Sequence, residues 1–303
     1  MSDPQRPPHS AEEFDARRGY LWNADFLLLM RARWELQNVR RVLDVGCGIG
    51  HWTAVLFPLL PANAAVVGVD REPAWVKLAT EIAEKSARAA RTRFQVGTVE
   101  ALEFPDACFD MVTCQTLLVH VADPTAALRQ MVRVLKPGGL LAVVEPNNLV
   151  QALVPGSTHA DEDPAEIVAK VRFQLLCERG RKKLGDGDMS VGERVPGMMS
   201  ALGLKDVRVH LSDKTAALFP PYSGDEQRTL ARLAFEGPMP DRWIWSREDT
   251  LRYFAAGGGA AAEFPALWDK VVVREPTRQR QAYRTKELAR TGGRLLYVTS
   301  GRR

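Results

Sequence analysis

Residues 41–51 read Arg-Val-Leu-Asp-Val-Gly-Cys-Gly-Ile-Gly-His: a short β-branched run with an acid, Asp44, near its end that passes straight into Gly46, Gly48 and Gly50. The apolar run predicts a buried strand, and the residues from 51 onward predict a helix. Between them, glycine at every second position lets the backbone turn tightly and approach a ligand closely. A dinucleotide fingerprint requires Gly-x-Gly-x-x-Gly or Ala, but its third position here is His51. The spacing is Asp-x-Gly-x-Gly-x-Gly, a glycine-rich strand-to-helix turn of a different kind.

Outward from this turn the same alternation repeats. Ala64–Asp70 (AAVVGVD) is followed by a helical stretch from about 73, and TRFQVG and FDMVTCQ lead to another from about 124. GLLAVVEPN then ends at Asn147. Strands alternating with helices predict a parallel sheet wound by right-handed crossovers. Residues 1–12 are polar and Pro-rich and read as a tail, and 13–38 read as a helical lead-in.

After position 148 the alternation stops. Asp163, Pro164 and Glu166 mark the N-cap, first-turn proline and capping-box carboxylate of an inserted helix. It ends in Arg179, Arg181, Lys182 and Lys183, which read as cations at a helix C-terminus. A helix at 191–202 and the strand KDVRVHLSD resume the pattern, and the last strand, GRLLYVTSG, comes only at 293–301. The intervening residues form a second insertion, with Ser246 and Asp249 at a helix start. The expected organisation is therefore a helical cap over 1–38, a core over 39–148, an insertion over 149–189, core elements over 190–213, a second insertion over 214–291 and a final strand over 292–303.

Composition bounds the class. The 303 residues suffice for one large α/β domain with embellishments or two small domains, and 46% hydrophobic with 26% charged residues excludes a disordered or collagen-like chain. The net charge of +4, carried by the C-terminal half, is too small for a nucleic-acid partner and hints at most at an acidic substrate. No run reaches the roughly 18–20 apolar residues of a membrane helix, and the opening MSDPQRPPHS lacks the apolar core of a secretory signal, so a cytoplasmic protein without a membrane partner is expected. Cys47, Cys108, Cys114 and Cys177 lie without a Cys-x-x-Cys pair, which favours free thiols over disulfides or a metal site.

The glycine turn, with Asp70 ending the second strand, resembles the class I S-adenosylmethionine-dependent methyltransferases. GTVEALEFPDACFDMV (97–112) resembles that family's third-strand turn and fourth strand. TLLVHVADPTAALRQMVRVLKPGG (116–139) resembles the small-molecule subgroup that includes the ubiquinone and menaquinone biosynthesis methyltransferases. The resemblance covers about residues 40–146. It implies a seven-stranded, doubly wound, Rossmann-like sheet with S-adenosylmethionine as cofactor and S-adenosylhomocysteine as product. Asp44, Gly46, Gly48 and Gly50 would hold the methionine end and Asp70 the ribose hydroxyls. Arg71, Val99 and Glu100 would lie near the adenine. Two departures, Arg71 where an aliphatic residue is frequent and Thr98 where an adenine-binding Asp is frequent, weaken the adenine assignment. Gln115, ending the fourth strand, faces either the cleft or the core, and Tyr20 is a candidate to cover the cofactor.

For the acceptor, the strand ends select His120 and Glu145 as candidate bases, needed only where the acceptor holds a proton. His51, at the helix start, is a further candidate. The insertions, branching from the same edge, should form a cap. Its aromatics Phe219, Tyr222, Trp243 and Trp245 form either the cap's own core or an apolar pocket. The cations between 270 and 290 read as a solvated helix face. The expected reaction is methyl transfer to oxygen or nitrogen, with carbon next, of a small hydrophobic or aromatic metabolite. A macromolecular acceptor and a non-catalytic binding protein are the alternatives; the oligomeric state is not specified by the sequence.

Overall fold

The computed structural model describes residues 21–153, 156–159, 161–236, 243–291 and 295–303. Seven strands form one sheet: β1 (Arg41–Val45), β2 (Ala65–Asp70), β3 (Thr92–Val96), β4 (Phe109–Gln115), β5 (Leu135–Asn147), β6 (Lys205–Leu211) and β7 (Leu295–Arg302). Their order is β3-β2-β1-β4-β5-β7-β6, with β7 antiparallel to both neighbours and the remaining pairs parallel. The chain reverses direction across the sheet between β1 and β4. In an open α/β sheet a ligand binds beyond the carboxyl ends of the strands at such a point. Val45, Asp70, Gln115 and Asn147 all end strands on that edge.

Strand parity assigns each face. Val42 and Met111 pack beneath α1 (Ala24–Arg33) and α2 (His51–Leu56), whose Phe26, Met30, Trp52 and Leu56 complete that core layer. Leu43, Val45, Val112 and Cys114 face the other way, onto α4 (Pro124–Val134) and α6 (Val195–Ala201). α3 (Pro73–Glu84) packs against β2 and β3. Three helices start alike, on an acid followed by proline. Glu72 accepts from the Ala74 N–H, Asp123 from Ala126 and Asp163 from Ala165, each supplying an acceptor that a helix start lacks.

The predicted lead-in helix is described from Ala24 to Arg33, and residues 13–20 lie outside the described residues. The first insertion carries α5 (Pro164–Lys183). Its Glu166 reaches across to Lys270 of the second insertion, in an ion pair that the capping-box reading did not foresee. The second insertion carries α7 (Asp225–Ala231), α8 (Arg247–Ala256), α9 (Phe264–Trp268) and α10 (Glu275–Arg284), with α8 starting on Ser246, whose Oγ accepts from the Asp249 N–H at 3.0 Å.

The two insertions cross through glycine. A Cβ on Gly180 of α5 would lie 1.8 Å from the Tyr253 carbonyl oxygen, and one on Gly257 would lie 2.0 Å from that of Leu176. Around this crossing Phe173, Cys177, Tyr253, Phe254, Phe264 and Trp268 form a buried cluster, with Trp243 and Trp245 packed on it. Tyr222 joins a second cluster with Leu218, Phe235 and Leu288. These aromatics are the cap's own core, whereas Phe219 remains 48% exposed. Two cations of 270–290 pair with acids of the first insertion, Lys270 with Glu166 and Arg278 with Glu162, and Lys170 of α5 in turn bridges Glu162 and Glu275. Among the described residues no helix is long and apolar enough to cross a membrane, and no cluster of His, Cys, Asp and Glu could hold a metal ion. The four cysteines are free; Cys108 is half-buried and the other three are buried.

Candidate cofactor and acceptor site

The glycine turn is tied to the end of β2 by its backbone. The Gly46 and Cys47 N–H groups donate to the Val69 carbonyl at 2.7 and 3.1 Å, and the Gly48 N–H donates to Asp70 Oδ2 at 2.8 Å. Asp70 Oδ1 accepts from the Glu72 N–H at 3.0 Å. A carboxylate offers about four lone-pair directions, so these bonds orient Asp70 and leave acceptor capacity for a diol.

Two of the glycines are required by close packing at positive φ. Gly46 has φ +69°, and a Cβ there would sit 2.7 Å from the Leu117 side chain. Gly50 has φ +80°, and its Cβ would sit 2.9 Å from the Phe94 ring. Their missing side chains make room for protein, and it is the main chain of the turn that is presented.

Asp44 is 1% exposed, and its Oδ2 accepts from the Thr53 hydroxyl at 2.6 Å, fastening α2 to β1. By strand parity Gln115 lies on the same side of the sheet, in line with Thr113, whose Oγ accepts from Trp52 Nε1. Gln115 is 5% exposed, and neither its amide nitrogen nor its amide oxygen has a hydrogen-bond partner among the described residues. A buried amide without partners costs free energy, so a polar ligand at this strand end would satisfy it. Asp70, the main chain of the glycine turn and Gln115 thus fit the ribose and amino-acid portions of S-adenosylmethionine. Arg71 and Glu100 are exposed, and the Val99 side chain belongs to the core, leaving only its main chain for an adenine. Tyr20 lies outside the described residues. His51 is buried at the first position of α2.

The two candidate bases occupy different environments. Glu145 is fully buried, and its carboxylate accepts from the N–H groups of Leu117 at 2.8 Å, Leu118 at 2.7 Å and Val119 at 3.4 Å. Burial pushes its pKa up to about 8, against the lowering effect of those three amides. This is a group that holds the turn after β4, a job different from the base role expected of it. His120 ends that turn and is exposed. The Cys47 thiol is pushed well up by burial and by Asp44 and Asp70, so it stays protonated beside the turn.

The sequence reading missed Thr53 and Leu117. It missed Trp75 as well, whose ring lies 3.6 Å from where a Gly48 Cβ would be. A hydroxyl one helical turn into α2, on the face turned to the strand end, was a signal for Thr53. For Leu117 and Trp75 there was none, because both contacts depend on tertiary placement.

A methyltransferase-domain model matches residues 37–188. An uncharacterised methyltransferase of Bacillus subtilis, YcgJ, is 35% identical over 136 residues, which are 45% of this chain and 52% of that protein. A ubiquinone biosynthesis O-methyltransferase of Xanthomonas oryzae is 34% identical over 186 residues, which are 56% of this chain and 71% of that protein. The chain spans about half the length of several curated relatives it matches. The crystal structure of the Bacillus YcgJ protein has a TM-score of 0.50 and 22% identity, with 93% of this chain and 99% of that chain covered, and it bears on the fold alone. By its domain match, by relatives over a third identical, and by a seven-stranded, doubly wound sheet such as the resemblance implies, the chain belongs to the S-adenosylmethionine-dependent methyltransferase family.

Proposed function

We infer that this chain transfers the methyl group of S-adenosylmethionine to an oxygen or nitrogen of a small, apolar, ring-bearing molecule. The observation that carries the reading is the polar set at one strand edge: Asp70 oriented by two amides, the glycine turn presenting main chain, and the partnerless amide of Gln115. Bound there, the cofactor supplies an already electrophilic methyl group. The protein's share is alignment, an effect worth roughly 7–11 kcal/mol when two reactants are held in line. Asp70 and Gln115 bind, and the turn 117–120 forms the floor beside the glycine turn through the Leu117 contact at Gly46. His120, exposed at the end of that floor, is the base we assign to an acceptor that holds a proton. The small-molecule reading is supported by the Xanthomonas relative, named for ubiquinone biosynthesis, which the chain matches over 71% of its length.

The test is a transfer assay with methyl-labelled S-adenosylmethionine and a panel of apolar phenols, catechols and amines. Label should enter at least one acceptor with a free hydroxyl or amine and not its pre-methylated form. With that acceptor His120→Ala should slow turnover. Label appearing only in added RNA or protein would overturn the small-molecule reading.

A further inference from the structure

Among the four cations at the end of α5, Arg181 departs from the helix-terminus reading. It is 7% exposed, and its Nη1 donates to the carbonyl of Val119 at 2.7 Å, across 62 residues of sequence. Burial works against its charge, Tyr253 ahead of Asp186 and Asp188 favours it, and its buried Nε has no hydrogen-bond partner among the described residues. A guanidinium taken out of water costs several kcal/mol, and apolar residues of similar volume often serve stability as well or better. A site selected for stability alone therefore has little use for it.

What it grips is the acceptor-side floor. The turn closes on itself through the His120 N–H to the Leu117 carbonyl at 2.9 Å and the Val121 N–H to the Leu118 carbonyl at 3.2 Å. From the sheet side, Glu145 takes the three amides of 117–119. From the cap side, Arg181 takes the Val119 carbonyl. The cap's Gly187 backbone packs so near that a Cβ would fall 2.3 Å from the same oxygen. At its other end the turn touches the glycine turn, through Leu117 against Gly46.

We propose that Arg181 is a positioning residue of the transfer site, holding from the cap the turn 117–120 that Glu145 holds from the sheet. The floor between cofactor and acceptor then keeps its register only while α5 is docked. The inference rests on the methyl-transfer reading for its function, and on geometry alone for the hold itself.

The test is hydrogen exchange on the full chain, with and without S-adenosylhomocysteine, for wild type, Arg181→Met and Arg181→Lys. A hydrogen bond to a charged group contributes ~1.5–3 kcal/mol, so Arg181→Met should speed exchange across 116–121 about tenfold or more while β1 and β2 keep their protection. S-adenosylhomocysteine should slow exchange in both 46–50 and 116–121 of wild type, but only in 46–50 of Arg181→Met. Arg181→Lys, which keeps a charged donor, should restore the slowing of 116–121. Wild-type exchange across 116–121 in Arg181→Met, or full ligand protection there, would overturn the proposal. Failure of wild type to bind S-adenosylhomocysteine would count against the methyl-transfer reading, while the ligand-free comparison would still decide whether Arg181 holds the turn.

Discussion

Glu145 and Gln115 show how single residues change meaning between sequence and fold. Gln115 ends β4 and Glu145 lies two residues before the end of β5 on the same edge, so position alone made each a candidate site residue. Strand parity then separates them, since Gln115 shares a face with Asp44 and Thr113, while Glu145 sits with Cys114 on the opposite face and turns up into the amides of 117–119. Its titration gives a pH prediction. The folded pKa of about 8 lies above the ordinary 4.5, so the folded state holds this proton more tightly than the unfolded chain does. The resulting stability is complete below the ordinary value and is lost as pH rises through the folded one. Glu145→Gln keeps the acceptor and does not titrate. Between about pH 5 and about pH 8, the urea midpoint of wild type should therefore fall relative to that of Glu145→Gln. Parallel pH profiles would mean that Glu145 is already ionised in the fold at neutral pH.

At the scale of elements, the strands and most helix starts were legible because each rests on a local signal: a β-branched run, an acid before proline, a serine three residues before an aspartate. The glycine turn was legible for the same reason, although the contacts that demand Gly46 and Gly50 come from Leu117 and Phe94, remote in sequence. The crossing of α5 and α8 was not legible. Nothing in the sequence around Gly180 or in the run Gly257-Gly258-Gly259 marks a crossing, and only the packed structure shows a partner carbonyl over Gly180 and Gly257. Because Gly180 is helical, alanine there brings no backbone strain of its own, and its cost comes from forcing the helices apart, about 1–3 kcal/mol or more. Gly180→Ala should raise hydrogen exchange in α5 and α8 while β1, β4 and β5 keep their protection. An unchanged cap would show that the crossing tolerates a methyl group.

For the whole molecule, alternation of strands and helices predicted the parallel winding, and the resemblance implied seven strands; that β7 runs antiparallel to both neighbours is seen only in the structure. Two insertions on the same edge of the sheet implied a cap, and the structure packs them on each other through Phe173, Phe254 and Trp268. How their charges pair was hidden, because Glu162 and Glu166 lie over a hundred residues from Arg278 and Lys270, which they meet across the insertions. The edge at which β1, β2, β4 and β5 end carries the turn 117–120, and α5 of the first insertion reaches that turn through Arg181. We propose that this edge binds S-adenosylmethionine through Asp70. Calorimetric titration of cofactor-stripped protein with S-adenosylhomocysteine tests it most directly. Wild type should bind at about micromolar concentration, and Asp70→Ala, which removes a charged acceptor, should bind about tenfold or more weakly. Equal affinity in the two proteins, or no binding by folded wild type, would contradict the account.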